Sequence, residues 1–106
     1  MRYDGLQIVL KNVLIDKNCE YLEQEKYKEL LEKYDTKFLV GKDLKQRSYD
    51  ENLGSFCKEK NCDLLTADTK AYIHFFKNKN IKRVILSEFY YEKKSDRHVY
   101  LVEIIG

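Results

Sequence analysis

Three aspartates occupy one kind of position in the chain. Asp16 follows the apolar run Val13-Leu14-Ile15 and precedes an amphipathic stretch. Asp68 follows Leu64-Leu65-Thr66 and precedes another, while Asp50 lies in the first turn of a segment opened by Ser48-Tyr49-Asp50-Glu51. In a parallel sheet the carboxyl ends of the strands share an edge, and ligands bind there. Asp16 and Asp68 are expected to meet on that edge, with Asp50 over it. Converging carboxylates repel one another. A hard divalent cation, Mg²⁺ or Mn²⁺, offsets that cost by accepting carboxylate and water oxygens. Such an ion acidifies a bound water and neutralises phosphate charge, which is the apparatus of phosphodiester hydrolysis. The ordinary structural use of the same residues is helix capping or complementing the helix dipole.

Other reactive types carry less. Cys19, Cys57 and Cys62 are odd in number and form no C-x-x-C pair. They read as buried apolar residues of a chain kept in a reducing cytoplasm. His74 and His98 have no metal-ligand spacing to the cysteines and are assigned nothing. Lys42, Lys45 and Arg47 precede Asp50, where they could hold phosphates without reading sequence, and Tyr49 could stack on an unpaired base. Lys77, Lys79, Lys82 and Arg83 read as a solvated surface. Gly5, Gly41, Gly54 and Gly106 are scattered, so no glycine-rich phosphate loop is present.

The positioning elements follow from hydrophobic periodicity. The expected order is strand, helix, strand, helix, strand, helix, strand, strand. Val13-Leu14-Ile15 reads as a buried strand. Cys19 to Tyr34 reads as an amphipathic helix burying Cys19, Leu22, Tyr27, Leu30, Leu31 and Tyr34. Lys37 to Gly41 is a short strand. Ser48 and Glu51 form a capping box for a helix burying Leu53, Phe56 and Cys57. Cys62 to Thr66 is a strand, with Asp63 taken as an edge or loop contact. Thr69 to Asn78 is a helix, and Arg83 to Leu86 a strand. Glu88 to Tyr91 and His98 to Ile104 form a hairpin turning near Lys93 to Asp96. Alternating strands and helices predict an α/β fold with a mostly parallel sheet. Alternate members of Phe89, Tyr90 and Tyr91 must face outward in a strand, which suits a homodimer or protein interface.

Composition sets the frame. The chain has 106 residues, enough for one domain with one real core. It is 43% hydrophobic and 36% charged, the balance of an ordered globular protein rather than a disordered one. No run approaches the roughly 18 apolar residues of a membrane span, and the polar start, Met1 to Gly5, predicts no secretory signal. The net charge of +2 does not by itself point to a polyanion.

Two stretches resemble PIN domains. Leu14-Ile15-Asp16-Lys17-Asn18 resembles the family's opening signature, a hydrophobic strand running into D-x-N. Asp50-Glu51-Asn52-Leu53, followed by Phe56 to Asp68 with its strand ending in T-x-D, resembles the later half. The likeness runs from about Val13 to Phe76. The family comprises α/β metal-dependent ribonucleases, VapC-type toxins of toxin–antitoxin pairs among them. The resemblance implies a three-layer fold, a mostly parallel central sheet flanked by helices. It implies Mg²⁺ or Mn²⁺ held by the catalytic acids Asp16, Asp50 and Asp68, with Thr66 orienting the site and Asn18 steadying the first loop. It also implies single-stranded RNA as substrate and, for a toxin, an antitoxin partner. Only 33 residues lie between Asp16 and Asp50, positions 17 to 49. The chain is therefore more similar to a short PIN-like group that lacks part of the family's middle and a further acid there. Glu51 and Asp43 are the candidate replacements, and Glu51 is taken as a fourth ligand. The shortened acid set leaves a catalytically inactive binding module as the alternative.

Overall fold

The computed structural model describes residues 11–45 and 49–105, with backbone alone at positions 49 and 50. Five strands form one sheet in the order β2-β1-β3-β5-β4. They are β1 (Lys11–Ile15), β2 (Tyr34–Leu39), β3 (Cys62–Thr66), β4 (Arg83–Glu92) and β5 (Arg97–Ile105). β1 pairs in parallel with β2 and β3, whereas β5 pairs antiparallel with both β3 and β4. The β4–β5 ladder runs from Arg83 opposite Ile105 to Glu92 opposite Arg97 and is the longest in the sheet.

This corrects the expected mostly parallel, three-layer PIN-like sandwich. The sheet is mixed, with most of its ladder antiparallel and with short helices against it. The reason lies in the last connection. Only Lys93 to Asp96 separate β4 from β5, and a turn that short can join only antiparallel neighbours. β5 then returns beside β3, so β4 is held at the far edge.

The helices also differ from expectation. The expected Cys19–Tyr34 helix is two 3-10 segments, Lys17–Glu23 and Glu25–Leu31, separated by an extended Gln24 with ψ 150°. Apolar spacings of three and four fit either helix type, so Cys19, Leu22, Tyr27 and Leu31 are buried as expected. Tyr34 is buried too, but opens β2. The segment Thr69–Lys77 is likewise a 3-10 helix. α1 (Tyr49–Glu59) is the one α-helix among the described residues. Ser48 and Arg47, and the side chains of Tyr49 and Asp50, lie outside the described residues.

Two apolar clusters cover opposite faces of the sheet, because successive strand residues alternate sides. Val13, Ile15, Leu65, Val99 and Leu101 meet Cys19, Leu22, Tyr27 and Leu31 of the first two 3-10 segments. Leu14, Cys62, Leu64 and Val102 meet Leu53 and Cys57 of α1 with Ala71 and Phe75 of the third segment. Gly54 brings α1 close to that third segment: a Cβ there would stand 3.2 Å from Phe75 Cα.

Asp63 is not an edge contact. It sits in the central strand, 3% exposed. Its carboxylate accepts from Lys11 Nζ at 2.9 Å and from the Tyr34 hydroxyl at 2.9 Å. Burial and this neighbouring carboxylate push the Tyr34 phenol far up from its ordinary value. Strict alternation also fails in the tail. A bulge between Glu88 and Tyr90 shifts the β4–β5 register, and Phe89 and Tyr90 both pack on the first cluster while Tyr91 stays exposed.

Candidate functional site

The parallel half of the sheet brings Asp16 and Asp68 together. β1 and β3 are neighbours running in the same direction, with Ile15 opposite Leu65. Both aspartates therefore leave the sheet at its carboxyl edge, and the Asp16 amide donates to the Leu65 carbonyl at 2.9 Å.

Thr66, fully buried at the end of β3, links the two. Its hydroxyl donates to Asp16 Oδ2 at 2.7 Å and accepts from the Asp68 amide at 3.0 Å. Each aspartate also opens a 3-10 segment. Asp16 Oδ1 accepts from the Lys17 amide at 2.7 Å, and Asp68 Oδ1 accepts from the Lys70 amide at 2.9 Å. Asn18 closes the loop: its Oδ1 accepts from the Ala67 amide at 3.1 Å. Asp16 is half-buried and Asp68 exposed.

The remaining sequence candidates divide. Asp50 belongs to the first turn of α1 by its backbone, and its side chain lies outside the described residues, as do Arg47 and the side chain of Tyr49. Glu51 is exposed on α1. Asp43 serves its own turn, accepting from the Leu39 amide at 2.8 Å. Lys42 and Lys45 are exposed in the connection after β2. Among the described residues no three His, Cys, Asp or Glu side chains gather into a metal-binding group.

Carboxylate oxygens are the hard donors that Mg²⁺ and Mn²⁺ take, and Mg²⁺ is commonly held by one or two carboxylates with phosphate and water. Each carboxylate oxygen has two lone pairs. Asp16 accepts from Thr66 and Lys17, and Asp68 from Lys70, through oxygens of the type that a hard cation also takes. The donor chemistry fits such an ion.

Cysteine chemistry does not fit. Cys19, Cys57 and Cys62 are buried free thiols. Burial first, then the Asp16 charge, pushes the Cys19 thiol up to about 12. Burial and Asp63 push Cys62 up to about 12 as well, and Cys57 is raised mainly by burial. None is a thiolate at neutral pH, so none is a nucleophile there.

Three features at this edge escaped the sequence reading. Lys17 extends toward the turn after β2, its Nζ 3.6 Å from where a Cβ on Gly41 would lie. Gly41 has φ +97°, a conformation that favours glycine. A cavity of about 540 Å³ opens beside the edge, lined by Asn18, Tyr21, Ala67, Asp96, Arg97, His98 and Tyr100. Tyr100 pairs with Thr66 across β3 and β5. The local signal was the alternation of His98 and Tyr100, which puts both rings on one face of a strand. Its position next to Asp16 depends on β5 lying beside β3. Compared with family models, curated proteins and solved structures, the chain matches none.

Proposed function

We propose that the carboxyl edge of β1 and β3 is a hydrolytic centre acting on RNA phosphodiesters. The observation that carries this reading is the Asp16–Thr66–Asp68 arrangement: two aspartates follow the ends of adjacent parallel strands, and one buried hydroxyl joins the carboxylate of the first to the backbone amide of the second. Asp16 and Asp68, with Asp50 and Glu51 from α1, would hold Mg²⁺ or Mn²⁺. Bound there, the ion supplies an acidified water and charge neutralisation at phosphate. Thr66 fixes the orientation of Asp16 by donating to it. Asn18 holds the loop after β1 against the loop after β3. Lys17, Lys42 and Lys45 supply positive charge for the substrate backbone. Acting as the toxin of a toxin–antitoxin pair belongs to the same proposal, and predicts growth arrest on expression that Asp16→Asn relieves.

A second reading has its own support. Both aspartates already cap helical segments, and no three-ligand group occurs among the described residues. These favour an RNA-binding module without hydrolysis.

The test is cleavage of labelled single-stranded RNA with Mn²⁺ or Mg²⁺, beside Asp16→Asn and Asp68→Asn purified identically and checked for folding by circular dichroism. Hydrolysis by the parent, lost with chelator and with either folded variant, supports the nuclease. RNA binding without hydrolysis supports the module. Equal hydrolysis by parent and variants, or neither binding nor hydrolysis, overturns the assignment.

A further inference from the structure

We infer that the cavity beside the acidic edge is a stacking subsite for an unpaired base of single-stranded RNA. This rests on the RNA reading above and adds to it a site on the β4–β5 hairpin.

Three of the side chains lining the cavity are aromatic, Tyr21, His98 and Tyr100. On one side the Arg97 guanidinium lies 4.5 Å from the centroid of the Tyr21 ring. On the other, rings follow one another along the hairpin. Tyr91 and His98 stack with centroids 4.4 Å apart and planes at 29°. His98 and Tyr100 follow at 5.9 Å and 12°. Glu88, outside the cavity, and Asp96, on its wall, hold the geometry. His98 Nδ1 is 3.1 Å from Glu88 Oε2. The Tyr91 hydroxyl donates to Asp96 Oδ1 at 2.9 Å, which engages the one carboxylate on the cavity wall.

Planar rings and a guanidinium are what a nucleobase recognises. Stacking on aromatic faces is tolerant of sequence because every base has a π-face, and arginine adds a cation–π contribution. Arg97, with exposed Lys93 and Lys94 in the adjoining turn, also offers positive charge to the backbone. A duplex cannot present such a face without unpairing, so the site selects single strands. Its place fits the proposed chemistry. Thr66 and Tyr100 are cross-strand partners, with Cα atoms about 5 Å apart. A phosphate at Asp16 and Asp68 therefore has its flanking base within reach of the cavity. Of the exposed large apolar side chains among the described residues, Tyr91 belongs to this row of rings, while Ile73, Phe76, Ile85, Leu86 and Ile105 lie elsewhere, on the third 3-10 segment, the early part of β4 and the end of β5.

The test is binding of fluorescein-labelled hexauridylate by anisotropy in EDTA, with a 12-base-pair RNA duplex as competitor. EDTA separates binding from hydrolysis. The expected result is preference for the single strand, with affinity weakened about tenfold by Tyr100→Ala and by Arg97→Gln, and retained by Tyr100→Phe. Arg97 is exposed, so Arg97→Gln is informative even if Tyr100→Ala fails to fold. Parental affinity in the folded Arg97→Gln variant overturns the subsite, as does preference for duplex or no binding of hexauridylate. Hydrolysis that persists in those cases leaves the nuclease reading standing. Binding that survives without any hydrolysis overturns the nuclease and keeps the subsite.

Discussion

The Thr66 hydroxyl donates to Asp16 Oδ2 at 2.7 Å across 50 residues of chain. The Thr66 oxygen in turn accepts from the Asp68 amide at 3.0 Å. One small side chain thus sets the orientation of a carboxylate on β1 and the path of the chain leaving β3. Thr66→Val keeps the shape and removes both bonds. The expected stability loss is about 1–2 kcal/mol, since the Asp16 bond is charge-assisted. Urea unfolding measures it, and RNA cleavage should fall by more than folding accounts for. Unchanged cleavage would show that Asp16 does not need this partner.

At the opposite end of β3, Asp63 joins Lys11 and Tyr34 without any part in the proposed chemistry. Lys11 is partly exposed and can turn to water, whereas the Tyr34 hydroxyl is buried. Asp63→Ala is expected to cost about 2–4 kcal/mol. Tyr34→Phe, which leaves the ion pair intact, should cost about 1 kcal/mol. A double-mutant cycle in urea reads their coupling. RNA hydrolysis by the folded variants should stay at the parental level.

Gly54→Ala sets helix propensity against packing. Alanine gains about 1 kcal/mol of intrinsic propensity. The new Cβ would stand 3.1 Å from Ile81 Cδ1 and 3.2 Å from Phe75 Cα. A side-chain tip can move aside but a backbone atom cannot, and overpacking of this kind costs about 1–3 kcal/mol. A net loss of about 1 kcal/mol is expected, read as a lower denaturation midpoint. A higher midpoint would mean that α1 and the third 3-10 segment separate readily.

The thiols should be silent in the native protein. With Cys19 and Cys62 raised to about 12 and Cys57 higher than its ordinary value through burial, a disulfide reagent at pH 8 should label slowly. In guanidinium all three should react at once. Rapid native labelling of Cys19 would indicate that the first 3-10 segment opens.

Tyr27 predicts an alkaline limit to stability. Its hydroxyl donates to Glu92, and that bond, with burial and the Glu92 charge, raises the phenol from near 10 to about 12. A raised acid holds its proton more tightly in the folded state. Its contribution is complete below the unfolded value and is lost as pH rises through the folded one. Thermal midpoints should therefore fall between about pH 10 and about pH 12. Raised Tyr34 acts with the same sign. Tyr27→Phe should flatten part of that fall. An unchanged pH profile in the variant would discount the Tyr27–Glu92 bond.

Element order was legible in the chain because each element announces itself locally. Val13-Leu14-Ile15 and Cys62 to Thr66 are short and apolar, and Leu53, Phe56 and Cys57 recur at helical spacing. Asp16 and Asp68 stood out for a similar reason, each closing a strand. The helix type at Lys17–Leu31 was not legible, because residues three and four apart share a face in either geometry. Asp63 misled because a charge within a strand reads as exposed until its partners, Lys11 and Tyr34, are known. They lie 52 and 29 residues away.

Sequence alone determined which segments are apolar enough to be strands and that two aspartates leave strands where helical segments begin. Tertiary structure alone decided the direction and order of the sheet. The four residues 93 to 96 return β5 antiparallel to β4, and hydrogen bonding then seats β5 against β3 rather than beyond β4. That non-local pairing makes the sheet mixed. It also carries Arg97, His98 and Tyr100 to the edge where Asp16, Thr66 and Asp68 meet, because backbone pairing depends on which strands find each other and not on the side chains of either one.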